Sequence, residues 1–149
     1  HINWWGKQLG EMYNIIGVTD GGYFLDYDTS NTTNDHDYFV ESYHDQMRYL
    51  YDRAKLDVNQ DCVGRFKKDN HVRGRSNSSL GPQACMFAQH SWPFLRHPIF
   101  VLNSRYDDWQ LNQMLGYTSV QHSDRINAYG SRLSNEIIKS VNTGYGKNL

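Results

Sequence analysis

The chain has 149 residues, enough for one domain with a core of its own, and a formal net charge of −1. That balance provides no bulk basic field for nucleic acid, and no apolar run approaches the ~20 residues of a membrane span, so neither partner class is expected. Hydrophobic residues are 38% of the chain, yet it holds 11 Tyr, 4 Trp and 6 Phe; amphipathic aromatics suit a polar exterior, a carbohydrate site or an interface.

The first element expected is a helix over residues 3–13, "NWWGKQLGEMY", with Trp4, Trp5, Leu9, Met12 and Tyr13 as its apolar positions, weakened by Gly6 and Gly10. Ile15, Ile16 and Val18 then form a short buried strand. "TDGG", residues 19–22, breaks it, because paired glycines allow a positive φ or a close approach. Residues 28–37 form a polar loop. A helix starts near Asp37, with Phe39, Val40, Tyr43, Met47, Leu50 and Tyr51 at helical intervals.

The stretch from Cys62 to Cys85 reads as loop-rich, and its basic cluster, Arg65 to Lys68 with Arg73 and Arg75, as a solvated loop. "SWPFLRHP" leads into a second apolar strand, Ile99 to Leu102, which stops at Asn103 and delivers Asp107 and Asp108. Helices follow from about Asp108 to Leu115 and from about Asp124 to Val141, the latter with Ile126, Tyr129, Leu133, Ile137 and Ile138 on one face. Strands interleaved with helices predict an α/β fold, but two strands are too few for a complete doubly wound sheet. The chain therefore reads as a single partial domain, residues 1–149. It begins at His1 without a signal-peptide pattern, so a mature product or a fragment is expected.

Two cysteines, Cys62 and Cys85, and two sequons, at Asn31 and Asn77, fit a secretory-pathway glycoprotein with one disulfide. The alternative is a pair of reduced, buried thiols. Of the seven histidines, none forms an H-x-x-x-H or H-x-H ligand pair, so no metal or other cofactor is expected. His36 between Asp35 and Asp37 is a solvated loop residue on this reading. His90, close after Cys85, is the more interesting one, with a core or hydrogen-bonded loop histidine as its default role.

In open α/β sheets functional groups collect at the carboxyl ends of strands. Two stretches have that address, "TDGGYFLDY" and "RYDDWQ". An acid held there can orient the histidine of a Ser-His-Asp triad by accepting its Nδ1 proton. Spacing alone favours a plainer role, a helix N-cap, and two adjacent acids permit both. No G-x-S-x-G elbow is present.

Three blocks carry a resemblance. "VTDGGYFLDY" resembles the "aDsGfFLD" segment of the pectin acetylesterase/Notum family, "ACMFAQH" its "CFFPQ" segment, and "HPIFVLNSRYDDWQL" its "tPlFilNsaYDsWQi" segment. They stand in the right order, over roughly residues 4–145. Gly21, Met86 and Ala88 depart from the family's usual Ser or Ala, aromatic, and Pro. The resemblance implies the C-terminal half of an α/β-hydrolase-like sheet flanked by helices. It also implies a secreted or vacuolar serine carboxylesterase acting on acylated polysaccharide or a lipid-acylated partner.

The resemblance makes Asp107 the triad acid and leaves Asp108 as the better cap. It makes Tyr23, Phe24, Met86, Phe87 and Trp109 candidate acyl-pocket residues, each with core packing as the alternative. It places the nucleophilic serine upstream and the catalytic histidine downstream, in remaining segments of the same parent polypeptide. His122 is too close to Asp107 to match that histidine. The fragment alone is then expected to be inactive. The alternative is a non-catalytic structural or binding subunit on the same fold. A carbohydrate-binding module, suggested by the aromatic content, predicts exposed platforms rather than a buried Trp92 and Trp109.

Overall fold

The two apolar runs meet. In a computed structural model that describes residues 2–10, 12–27, 43–73, 81–117 and 122–143 (side chains of 68–73 excepted), Gly17–Asp20 (β1) pairs in parallel with Ile99–Leu102 (β2). Gly17 lies opposite Ile99 and Asp20 opposite Leu102, so both strands end at the same level. The backbone N–H of Gly21 donates to the carbonyl of Leu102 at 2.7 Å and continues the ladder one step further. Parallel strands need a long crossover, here filled by helices between residues 43 and 94. The result is a mixed helix and small-sheet architecture, compatible with an α/β fold.

The helices are α1 (Ile2–Leu9), α2 (Tyr43–Ala54), α3 (Gln60–Arg73), the short α4 (Ala88–Ser91) and α5 (Ser123–Thr143). Short 3₁₀ segments cover Pro82–Met86 and Trp92–Phe94. The main core joins Tyr23 and Leu25, after β1, to Trp92, to Leu111, Met114, Leu115 and Tyr117, after β2, and to Tyr129 and Leu133 of α5. Ile99 and Val101 turn one sheet face toward that core.

Four expectations are corrected. The strands are not buried on both faces: Val18 and Phe100 are 67% and 59% exposed, and Leu102 and Ile16 are also exposed. In α1 the aromatic residues face outward, while Ile2, Asn3 and Gly6 face the protein. A β-carbon on Gly6 would fall inside the ring of His97, so glycine permits that contact. Ile138 is exposed, because the buried stripe of α5 runs Tyr129, Leu133, Ser140 and leaves Ile138 off it.

The fourth concerns the Cys62–Cys85 stretch, which is helical over much of its length. Asn59 starts α3 by accepting the N–H groups of Asp61 (3.0 Å) and Cys62 (3.2 Å). The helix escaped the sequence pattern because it buries little beyond Cys62, Val63 and part of Phe66. Arg65 and Lys67 therefore sit on a solvated helix face, not in a loop. The expected disulfide is formed: Cys62 and Cys85 are bonded, with Cα atoms 6.0 Å apart, and tie α3 to the Pro82–Met86 turn. Asn31, Asn77 and His36 lie outside the described residues. No described helix is long and apolar enough to cross a membrane.

Candidate active site at the carboxyl end of the strands

The chain leaves β1 through Gly21, whose φ of +63° is the left-handed conformation that glycine adopts without strain. It leaves β2 through Asn103, whose Oδ1 accepts the N–H of Tyr23 at 3.1 Å. The two stretches singled out in the sequence are thereby stitched side by side, at the end of a parallel pair where functional groups collect.

Asp107 stands between them. Its Oδ1 accepts the N–H of Gln110 at 2.8 Å, and its carbonyl accepts the N–H of Leu111 at 2.9 Å. Its Oδ2 points toward Gly21, where a β-carbon would lie 3.6 Å from it. Asp107 is thus the N-cap, which corrects the expectation that Asp108 would be. Asp108 is exposed and accepts instead from the side-chain amide of Asn112 at 2.6 Å. The cap employs one oxygen of Asp107, and the other is held on the side of the β1 exit.

The plain helix expected over residues 108–115 is replaced by a wider turn. Gln110–Met114 are π-helical, and the N–H of Leu115 reaches the carbonyl of Gln110 at 3.2 Å. Such turns recur at functional sites. This one lets Gln110 turn fully inward. Its Nε2 donates to the carbonyl of Tyr23 at 3.4 Å and its Oε1 accepts from the phenol of Tyr129. One buried amide thus links the Asp107 cap, the β1 exit and α5. Sequence reasoning missed it, since a lone Gln after Trp109 has no distinguishing pattern.

The five candidate pocket residues separate. Phe24 is half-buried, and its ring meets Trp109 edge-on at 5.6 Å. Trp109, two residues after Asp107, is 53% exposed, so these two rings form a wall open to solvent. Phe24 continues to Tyr43 (6.2 Å), and Tyr43 to Phe87 (6.0 Å). Phe87 is buried, with its ring against Tyr43. Met86 is half-buried in the turn before it.

Tyr23 is 1% exposed and belongs to the core. Its hydroxyl lies 2.6 Å from Ser140 Oγ, and burial raises its pKa. It is therefore removed from the pocket. Trp92 is buried while Trp109 is exposed, so they form no shared aromatic platform.

A second cluster was not expected. Asp26 lies near His44 Nδ1 (2.5 Å) and His90 Nε2 (3.2 Å). Burial would raise its pKa, but the bonds and charges of the two imidazoles prevail and lower it. His90 is hydrogen-bonded, but on the short helix α4 rather than in a loop. His44 and Asp26 had no sequence signal, being 18 residues apart. Among the described residues no group of three or more His, Cys, Asp or Glu is arranged to hold a metal ion.

Comparison with known proteins bears on this site. The family model described as Pectinacetylesterase matches residues 1–143. Pectin acetylesterase 7 of Arabidopsis thaliana is 28% identical over 80% of this chain and 26% of its own length. Pectin acetylesterase 11 of the same plant is 26% identical over 83% of this chain and 27% of its own length. Pectin acetylesterase 5 is 29% identical over 80% and 23%. The chain spans about a quarter of the length of these relatives. No solved structure matches it.

Proposed function

The chain belongs to the pectinacetylesterase family, and we propose that it supplies the acid of a Ser-His-Asp triad in a secreted carboxylesterase, with acetylated polysaccharide as the substrate class. The observation that carries this reading is the division of labour within Asp107. One oxygen is spent on the N–H of Gln110, which holds the carboxylate rigid, and the other faces the β1 exit beside the Phe24–Trp109 wall.

On this reading the nucleophilic serine and the histidine come from other segments of the parent polypeptide. The serine hydroxyl adds to the ester carbonyl while the histidine takes its proton. Asp107 accepts the Nδ1–H of that histidine, fixes its tautomer and stabilises the imidazolium. Backbone amides hold the oxyanion. The histidine then returns the proton to the leaving alcohol, and water repeats the sequence to release the acid. Phe24 and Trp109 flank the acyl group.

The same reading accounts for the bare sheet face. Parallel sheets are covered on both sides, whereas Ile16, Val18, Phe100 and Leu102 are exposed here, with Trp4 and Trp5 on α1. On this reading remaining segments of the parent cover them.

The deciding experiment uses Asp107→Asn in the natural full-length protein. Asparagine caps a helix as well as aspartate does, so folding is retained, while kcat for an acetyl ester falls about 10³–10⁴-fold. Activity within threefold of wild type removes Asp107 from the triad.

A further inference from the structure

Among the described residues the hydrogen bonds of the Asp26 cluster share no partner with those of the Asp107 cap, and the proposed ester chemistry does not use it. Asp26 is in the segment leaving β1, two residues after Phe24. His44 is on α2 and His90 on α4. Each imidazole is fixed by a second contact. His44 stacks on Phe87 with planes 3° apart at 6.1 Å, and Phe66 of α3 meets His90 edge-on at 5.7 Å. The N–H of Asp26 is itself held by Gln89 Oε1 at 3.0 Å.

The proton positions are set by the carboxylate. An ionised carboxylate only accepts, so each imidazole nitrogen facing it must donate. His44 therefore carries a proton on Nδ1, and His90 on Nε2. For His90 the alternative would be to accept from Gln89 Nε2, 3.3 Å away. The carboxylate overrides it, because a charge-assisted bond is about twice as strong as a neutral one. One anion thus draws α2 and α4 onto the segment that bears Phe24.

We propose that Asp26, His44 and His90 form a positioning cluster that holds the Phe24 segment in place, and that it loosens when Asp26 is protonated. Within this cluster Asp26 is a positioning residue. It touches no reacting group and acts through Phe24, whose meeting with substrate rests on the esterase reading.

The charges that bear on Asp26 among the described residues are those of His44 from α2 and His90 from α4. Gln89, Phe87 and Phe66, which contact the cluster among the described residues, carry no charge. Tyr43, next to His44, stays neutral because burial raises its pKa. The folded-state pKa of Asp26 lies below its ordinary value of 3.8. Its contribution is therefore present above that value and is lost as pH falls through the lowered one.

The test is nitrogen-15 NMR and amide exchange on the full-length protein. His44 should be the Nδ1–H tautomer and His90 the Nε2–H tautomer near pH 8. Protection of the Asp26 amide, corrected for intrinsic exchange, should be high at about pH 6 and fall at least about tenfold as pH is lowered through the depressed Asp26 pKa, below 3.8. In Asp26→Asn it should be low throughout. A proton on the other nitrogen of either ring, or wild-type protection in Asp26→Asn at the higher pH, overturns the proposal.

Where that variant does not fold, His44→Asn with His90→Gln carries the test, since the amides donate without charge. The midpoint of the pH-dependent loss should move up toward the ordinary carboxylate range, and an unmoved midpoint overturns the proposal. Neither readout involves ester hydrolysis, so this cluster and the triad fail independently.

Discussion

The phenol of Tyr129, on α5, donates to Oε1 of Gln110 at 2.5 Å, and both residues are fully buried. Because Gln110 also donates its backbone N–H to Asp107, this pair ties the carboxylate to α5, whose Tyr129 and Leu133 are in the core. Tyr129→Phe keeps the ring and orphans an amide oxygen, at a cost of about 1–3 kcal/mol. Gln110→Met orphans the phenol at similar cost. The double variant should lose less than the sum of the two by about 0.5–3 kcal/mol, read from denaturant midpoints.

The same phenol makes an alkaline prediction. Burial, and then the charge of Asp107, push the Tyr129 pKa well above its ordinary 10.0. A raised phenol holds its proton more tightly in the folded state. Its contribution is complete below pH 10.0 and is lost as pH rises toward the folded value. Tyr23, Tyr27 and Tyr43 are raised as well. Thermal midpoints should drop above about pH 10, and less steeply in Tyr129→Phe.

Asp107 and Asp108 should separate cleanly. Asp107→Ala removes the cap and should cost about 1 kcal/mol beyond any effect on activity. Asp107→Asn should cost little stability, while Asp108→Asn should leave both stability and activity within error. A stability loss in Asp108→Ala larger than that in Asp107→Ala would contradict the cap assignment.

Cys62 and Cys85 close a loop across a sequence separation of 23, and their removal as a pair of serines should cost roughly 3 kcal/mol. The loss should fall on the contact between α3 and the Pro82–Met86 turn. Amide exchange should therefore rise in α3 before it rises in α5.

Phe100 tests the proposed cover of the sheet. In the full-length protein Phe100→Asp should destabilise by about 2 kcal/mol or more if other segments lie on that face. If the face meets water in the full-length protein, the change stays within about 0.5 kcal/mol.

Gly130 is a packing test of the β2 exit. A β-carbon there would lie 2.9 Å from the carbonyl oxygen of Arg105 and 3.2 Å from the ring of Tyr106. Gly130→Ala favours the helix intrinsically but must displace the turn that leads to Asp107. Stability should fall by about 1–3 kcal/mol, read from denaturant midpoints.

The sequence by itself determined the strands, the long C-terminal helix, the pairing of two cysteines and the family. Each of these is local or carried by matched blocks: an apolar run, a 3.6-residue stripe, a motif such as "YDDWQ". Only the tertiary structure decided which of two adjacent acids caps and which faces solvent, since both have the same chemistry and differ by one residue. Only it removed Tyr23 to the core, and brought Asp26 to His44 and His90, residues separated by 18 and 64 positions. The physical reason is the same in each case. A side chain's role depends on which polar atoms come within about 3 Å of it, and at long separation only the crossover between two parallel strands sets that distance.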